Sequence, residues 1–272
     1  MISVRRGALS VLAAAALLAV PAAANAHRQW LLPSSTVLSG SDPWITVDAA
    51  VSNELFYFDH NPMRLDTMTV TTPDGSKGEI KNGATGKYRS TFDVQLDKPG
   101  TYRIGTTSDG LMAAYKLNGE AKRWRGTSAE LATAIPKEAT EVKLTQSSRR
   151  VEIFATRGAP TKEVLKLTGQ GLELDPVTHP NDLVAGEPAI FKLVLDGKPA
   201  AGLEVNVVPG GNRYRAATGE MKLTTDAEGS VTIKWPGAGM YWLEATSRGG
   251  KSSIPNAERS AAYVTTLEVL PD

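Results

Sequence analysis

The chain has 272 residues, 41% of them hydrophobic, with 30 Lys and Arg against 29 Asp and Glu. It contains no cysteine, which excludes disulfides, thiolate metal sites, cysteine nucleophiles and a lipid attached through a thiol. So even a charge balance is also a poor match to nucleic acid, whose binding domains carry a basic excess.

The first stretch reads as a leader. Arg5 and Arg6 form a basic start, Ala8 to Val20 is apolar, Pro21 breaks the run, and Ala24-Asn25-Ala26 has the small-x-small form that signal peptidase cuts after. The apolar run falls short of the roughly 18 to 20 residues a spanning helix needs. Residues 1–26 are therefore expected to be a signal peptide cleaved after Ala26, leaving a periplasmic protein with no membrane span. The Arg5-Arg6-Gly7 context fits twin-arginine export poorly, so general secretion is the expected route. Loss of two arginines leaves 30 − 2 = 28 basic against 29 acidic residues, a mature charge of −1. The remaining length suits two domains, 27–165 and 166–272.

Cleavage at that point puts a free α-amine and an imidazole on one residue, His27. Together they close a six-membered chelate ring on a metal through the backbone nitrogen and Nδ1, which no internal histidine can do. Without thiolates the metal must be held by nitrogen and oxygen, which favours nickel, cobalt, copper or zinc over iron-sulfur chemistry. Arg28-Gln29-Trp30-Leu31-Leu32-Pro33 follows and is apolar enough to pack on a sheet at once, so Trp30 and Leu32 are expected to hold the terminus still.

Further on, Trp44 to Val51 is β-branched and aromatic and reads as a strand; Leu55 to Asp59 is a second short strand or an aromatic loop. Met68 to Thr72 alternates and ends at the turn Pro73-Asp74-Gly75. Tyr88 to Val94 and Thr101 to Gly105 are strands on either side of Lys98-Pro99-Gly100. Short strands at this spacing predict a β-sandwich. From Leu111 to Ser147 the pattern changes to an excursion: a basic cluster, Lys122-Arg123-Trp124-Arg125, is followed by Thr127-Ser128-Ala129-Glu130, which has the form of a capping box, and Pro136 stops the helix that it opens. The basic cluster is a solvated loop or a site for an anionic headgroup or a partner. Arg150 to Ala155 is a strand again.

The segment 158–171 reads as the join between domains. Leu172 to Leu174, Phe191 to Leu195, Leu203 to Val207, Val231 to Trp235 and Ala262 to Val269 are strands, with Asp196-Gly197 a hairpin cue. Pro99-Gly100-Thr101-Tyr102 is echoed by Gly237-Ala238-Gly239-Met240-Tyr241; a tyrosine placed so after a Gly-containing corner pins it in immunoglobulin-like sandwiches. The expected fold is all-β, two tandem immunoglobulin-like β-sandwich domains with a short helical excursion in the first.

Several stretches taken together, namely His27-Arg28-Gln29-Trp30, Gly169 to Pro176, Asp196-Gly197-Lys198-Pro199, Thr225 to Gly229 and Gly239-Met240-Tyr241-Trp242-Leu243, resemble the domain-of-unknown-function 4198 family. Those are secreted bacterial proteins described as periplasmic components of nickel or cobalt uptake. The resemblance spans most of the mature chain and implies a metal-binding component that serves a membrane metal transporter, not a known reaction. Its inner motifs mark the fold, and only the terminal histidine motif bears on activity.

An α-amine and one imidazole leave a nickel, cobalt or copper ion short of ligands. His60, in Phe58-Asp59-His60-Asn61-Pro62, is the next candidate, with Asp59 as a further oxygen ligand or as the group that orients an imidazole. His179, before Pro180-Asn181-Asp182, is the third; it also reads as a turn histidine. Because a metal must displace protons from amine and imidazole, its binding weakens as pH falls. The chain is not expected to be an enzyme: no Gly-x-Ser-x-Gly elbow or His-Glu-x-x-His pair occurs. Two other classes remain open, a copper histidine-brace oxidoreductase with Tyr57 as an axial partner, and a structural or adhesive β-sandwich protein without metal.

Overall fold

The computed structural model describes residues 27–272, so the expected leader and its cleavage point lie outside the described residues. In chain order the first half contains β1 (Arg28–Pro33), β2 (Val37–Leu38), β3 (Trp44–Ser52), β4 (Asn61–Pro62), β5 (Thr69–Thr71), β6 (Lys77–Gly78), β7 (Lys81–Thr85), β8 (Ser90–Gln95), β9 (Gly100–Leu117), β10 (Glu120–Gly126), α1 (Ser128–Ala134) and β11 (Thr140–Arg157). The second half adds β12 (Leu172–Pro176), β13 (Pro188–Leu195), β14 (Lys198–Pro199), β15 (Glu204–Pro209), β16 (Met221–Thr224), β17 (Ser230–Lys234), β18 (Gly239–Lys251) and β19 (Ala257–Val269).

Period-two alternation decides which side of each strand is buried. In β3, Ile45, Val47 and Ala49 point inward while Thr46 is exposed and Asp48 partly so; in β8, Ser90, Phe92 and Val94 point inward. β1, β3, β8 and β7 form one small sheet, with β4 paired to β3; β12, β13 and β14 form another, with β17 paired to β13. Both pack on a single ten-stranded sheet that runs β16-β15-β18-β19-β11-β9-β5-β6, with β10 paired to β9 and β2 to β11, joined across the halves by the parallel pair β11 and β19. The chain is thus all-β, two sandwiches in tandem, and the sandwiches share a wall.

That wall is buried on both faces where β15, β18 and β19 meet. Val208, Trp242 and Val264 belong to the first core with Trp30, Phe92 and Ile153. Their chain neighbours Val207, Tyr241, Leu243 and Tyr263 belong to the second core with Leu174, Phe191 and Ile233. Strands buried on both sides carry continuous apolar runs, which is why Val207-Val208 and Met240 to Leu243 are unbroken by polar residues.

Both tyrosine corners form. The Tyr102 hydroxyl donates to Asp97 Oδ1 at 2.9 Å or Lys98 O at 3.1 Å and accepts from the Lys98 N–H at 2.6 Å; burial pushes its pKa up to about 12. Tyr241 makes a single bond, to Gly237 O at 2.8 Å. Tyr102→Phe should therefore cost about 1 to 2 kcal/mol and Tyr241→Phe about 1, read as a shift in urea midpoint at unchanged slope.

The excursion differs from expectation. β9 and β11 are each 18 residues long and pair over nearly their whole length, so 109–147 is an arm of the same sheet, with β10 added to β9 and α1 beside it. Its strands carry few inward apolar residues, Leu111 and Ala113 being the buried ones, and so show little hydrophobic period. The capping box at α1 is present, with Glu130 accepting from the Thr127 N–H at 2.8 Å.

A buried charge cluster sits where the halves join. Arg150 of β11 lies 3.2 Å from Glu173 of β12 and 3.6 Å from Glu152, and Tyr263 of β19 donates to Glu152 at 2.9 Å. Burial raises the pKa of Glu152 above the usual carboxylate value, opposed by Arg150, Arg103 and the Tyr263 bond. A carboxyl whose pKa rises on folding stabilises the native state fully below its unfolded value, about 4.3, and that contribution is lost as pH climbs through the raised value. Glu152→Gln, which keeps an acceptor for Tyr263, should thus leave neutral-pH stability equal or higher and flatten its decline as pH climbs above the ordinary carboxylate range, read in urea titrations.

Candidate functional site

Histidines 27 and 60 meet because of how β3 is flanked. Arg28 of β1 pairs with Ser52 on one side of β3, and Asn61 of β4 pairs with Val51 on the other. Residues 28 and 61 are then two strand spacings apart, about 10 Å, and each histidine lies one residue beyond. The two imidazoles stack, with ring centroids 3.7 Å apart and planes 9° from parallel. His27 is exposed and His60 half-buried.

The strand that carries His27 is held from three directions. Trp30 is fully buried; its indole N–H donates to Ser52 Oγ at 2.7 Å, and Ser52 in turn donates to Glu54 O at 2.5 Å. Phe56 and Phe58 pack against the Trp30 ring at 5.4 and 5.5 Å. From the second half, Trp242 donates its indole N–H to Gln29 O at 3.0 Å, and the Arg28 guanidinium lies 5.2 Å over the Trp242 ring. The hold that Trp242 has on β1 was not foreseen from sequence; its signal was the Gly239 to Leu243 motif, read there as fold alone.

The loop that carries His60 is equally constrained. Asp59 accepts from the Asn53 N–H at 2.9 Å and the Glu54 N–H at 3.4 Å, closing the loop on itself. Phe56 takes a left-handed backbone, φ 58°, a strained state for a bulky residue. Arg213 covers the Tyr57 ring at 3.8 Å and lies 3.8 Å from Glu54. Leu55 to Asp59 is thus an aromatic loop, Asp59 serves as its clasp, and Tyr57 is stacked on a cation.

His179 lies elsewhere. Its Nδ1 accepts from the Asn181 N–H at 3.1 Å, which leaves Nε2–H to donate to Thr161 O at 3.1 Å beside Thr101 Oγ1 at 3.2 Å. Burial lowers its pKa against the opposing pull of the Thr161 bond and Asp182. With both nitrogens engaged the ring has no lone pair for a metal; it ties the 179–181 segment to β9 and β11, helped by Asn181, which bonds Thr156 and Phe154 O.

Among the described residues, no group of three or more His, Cys, Asp or Glu side chains is gathered to hold a metal ion. The histidine pair supplies two nitrogens, and a trimmed chain would add the α-amine of His27 as a third. Parallel rings present those nitrogens side by side, so one ion held by both requires a turn of the rings. A cavity of about 570 Å³ opens beside the loop, between Leu32, Phe56, Met240 and Tyr241. The one cation in its lining, Arg215, donates to the carbonyls of Pro209, Gly210 and Thr218.

No curated protein matches the chain. Among solved structures it is similar to the D0-D1 domain of intimin, at 13% identity over 88% of this chain and 97% of that one with a TM-score of 0.21. It is also similar to the D00-D0 domain of intimin, at 9% identity over 89% and 100% with a TM-score of 0.20. A third likeness is to a marsupial T cell receptor, at 11% identity over 90% and 74% with a TM-score of 0.21. Residues 24–249, most of the chain and all of the histidine pair and its supports, match the family described as Domain of unknown function (DUF4198), and the chain belongs to that family.

Proposed function

We propose that the protein is a periplasmic carrier that binds a nickel, cobalt or copper ion as cargo and delivers it to an uptake system at the membrane. The observation that carries this reading is the stack of His27 on His60 at 3.7 Å, two imidazoles from distant parts of the chain at the residue where the leader would be cut. Imidazole and amine nitrogens suit these three metals. The rigid support of β1 by Trp30, Ser52 and Trp242 favours a fixed position for the new terminus, and leader removal would supply the third nitrogen without any rearrangement of the fold. No helix among the described residues is long and apolar enough to cross a membrane, which is compatible with a carrier that works beside a transporter.

The test is metal analysis of the exported protein together with N-terminal sequencing, followed by titration with each metal. A chain that begins at His27 and takes up one ion supports the reading. A chain that begins elsewhere, or one that begins at His27 and takes up none, ends it.

A further inference from the structure

The Lys122-Arg123-Trp124-Arg125 cluster lies on β10, and strand alternation splits it. Trp124 turns to the side where α1 sits, its ring over Gly126 and close to Glu130. Arg123 and Arg125 turn to the opposite side, which is open to solvent. Across the arm, Arg123 is opposite Ala114 of β9, and Ala114 is opposite Lys143 of β11; Arg125 is opposite Met112, and Lys116 follows Ala114 two residues along β9. One three-stranded face therefore presents Lys116, Arg123, Arg125 and Lys143, all exposed, at spacings of about 7 Å along a strand and 5 Å between strands.

The acids near this face lie at its margins. Glu141 binds Lys116 at 2.7 Å, and Glu258 lies opposite Thr145 on β19. Arg123 and Lys143 have no carboxylate partner among the described residues, and Arg125 contacts only Met112 Sδ, at 3.3 Å. Between the cations stand Ala114, Ala121 and Met112, so these strands put no aromatic side chain among them of the kind that supplies most of the energy of protein–protein interfaces.

We infer that this face of the β9–β10–β11 arm docks on an anionic lipid bilayer. An array of cations on one sheet face without an aromatic anchor is suited to a surface of diffuse negative charge, and each cation brought close to such a surface strengthens binding roughly fivefold. The attraction is screened by salt. This inference stands apart from the metal reading, because it uses none of the same residues.

The test is co-sedimentation of the purified protein with vesicles of equal parts phosphatidylglycerol and phosphatidylcholine, beside vesicles of phosphatidylcholine alone, at low and high salt. Any retained leader is present in wild type and variants alike. Wild type should bind the anionic vesicles and release them in salt. The variant Arg123→Glu/Arg125→Glu/Lys143→Glu should lose more than a hundredfold in affinity with an unchanged melting temperature, and Arg123→Lys/Arg125→Lys should bind as wild type. Equal binding to both vesicle types, no vesicle binding at all even with an acidic protein partner found instead, wild-type binding by the folded triple Glu variant, or loss of binding in the Lys variant would each overturn the inference.

Discussion

Arg150→Ala is expected to lower unfolding free energy by about 3 to 5 kcal/mol, the cost typical of removing one partner from a buried ion pair. The arginine side chain is 11% exposed, and its two carboxylates are 7% and 4% exposed. Glu173 does more than pair: it accepts from Thr168 N–H and Oγ1 at 2.9 Å, from Gly169 N–H at 2.7 Å and from Gln170 N–H at 3.3 Å, which shapes the loop that enters β12. Without Arg150 two acids share a dry site with no cation from β11. The variant should show a lower urea midpoint, and the loss should shrink when Glu152→Gln is added, because one of the stranded charges is then gone. An Arg150→Ala protein as stable as wild type would show that the cluster contributes little.

The second large effect is expected at the terminus. His27→Ala in a correctly trimmed chain should abolish uptake of nickel, cobalt and copper in titration calorimetry, because it removes one imidazole and the six-membered chelate together. One added residue before His27 should do nearly as much while leaving both imidazoles in place, since the backbone nitrogen then becomes an amide. His60→Ala should weaken binding and spare the chelate, so its loss should be smaller than that of His27→Ala. Metal displaces protons from these groups, so affinity should fall as the solution is made more acidic. Equal affinity in the trimmed and extended forms would refute the chelate.

Much of the fold is legible in the chain. The strand at Trp44, the turn at Pro73-Asp74-Gly75, the capping box at Thr127 and the hairpin at Asp196-Gly197 are local signals, and each forms where its residues place it. The two tyrosine corners follow from one echo. The arm is less legible, because strands wetted on both faces lose the apolar period that marks a strand. Sequence alone names His27 and His60 but cannot place them side by side, since their approach depends on β1 and β4 taking opposite edges of β3. Nor can it tell a carboxylate that is free to ligate from one that closes its own loop, which is what Asp59 does, or see that the Trp242 side chain crosses from one half to hold the other.

The common wall of the two sandwiches has a consequence for anyone who would cut the protein. Severed near residue 165, the second fragment would turn Val208, Trp242 and Val264 out to water, and the first would lose the surface on which Trp30 rests. Neither piece could be borrowed as an independent building block, however separable the two look when the letters are read in a row. Inheritance has to pass them on together, and engineering that swaps one for a relative's must bring along a surface to replace the missing side.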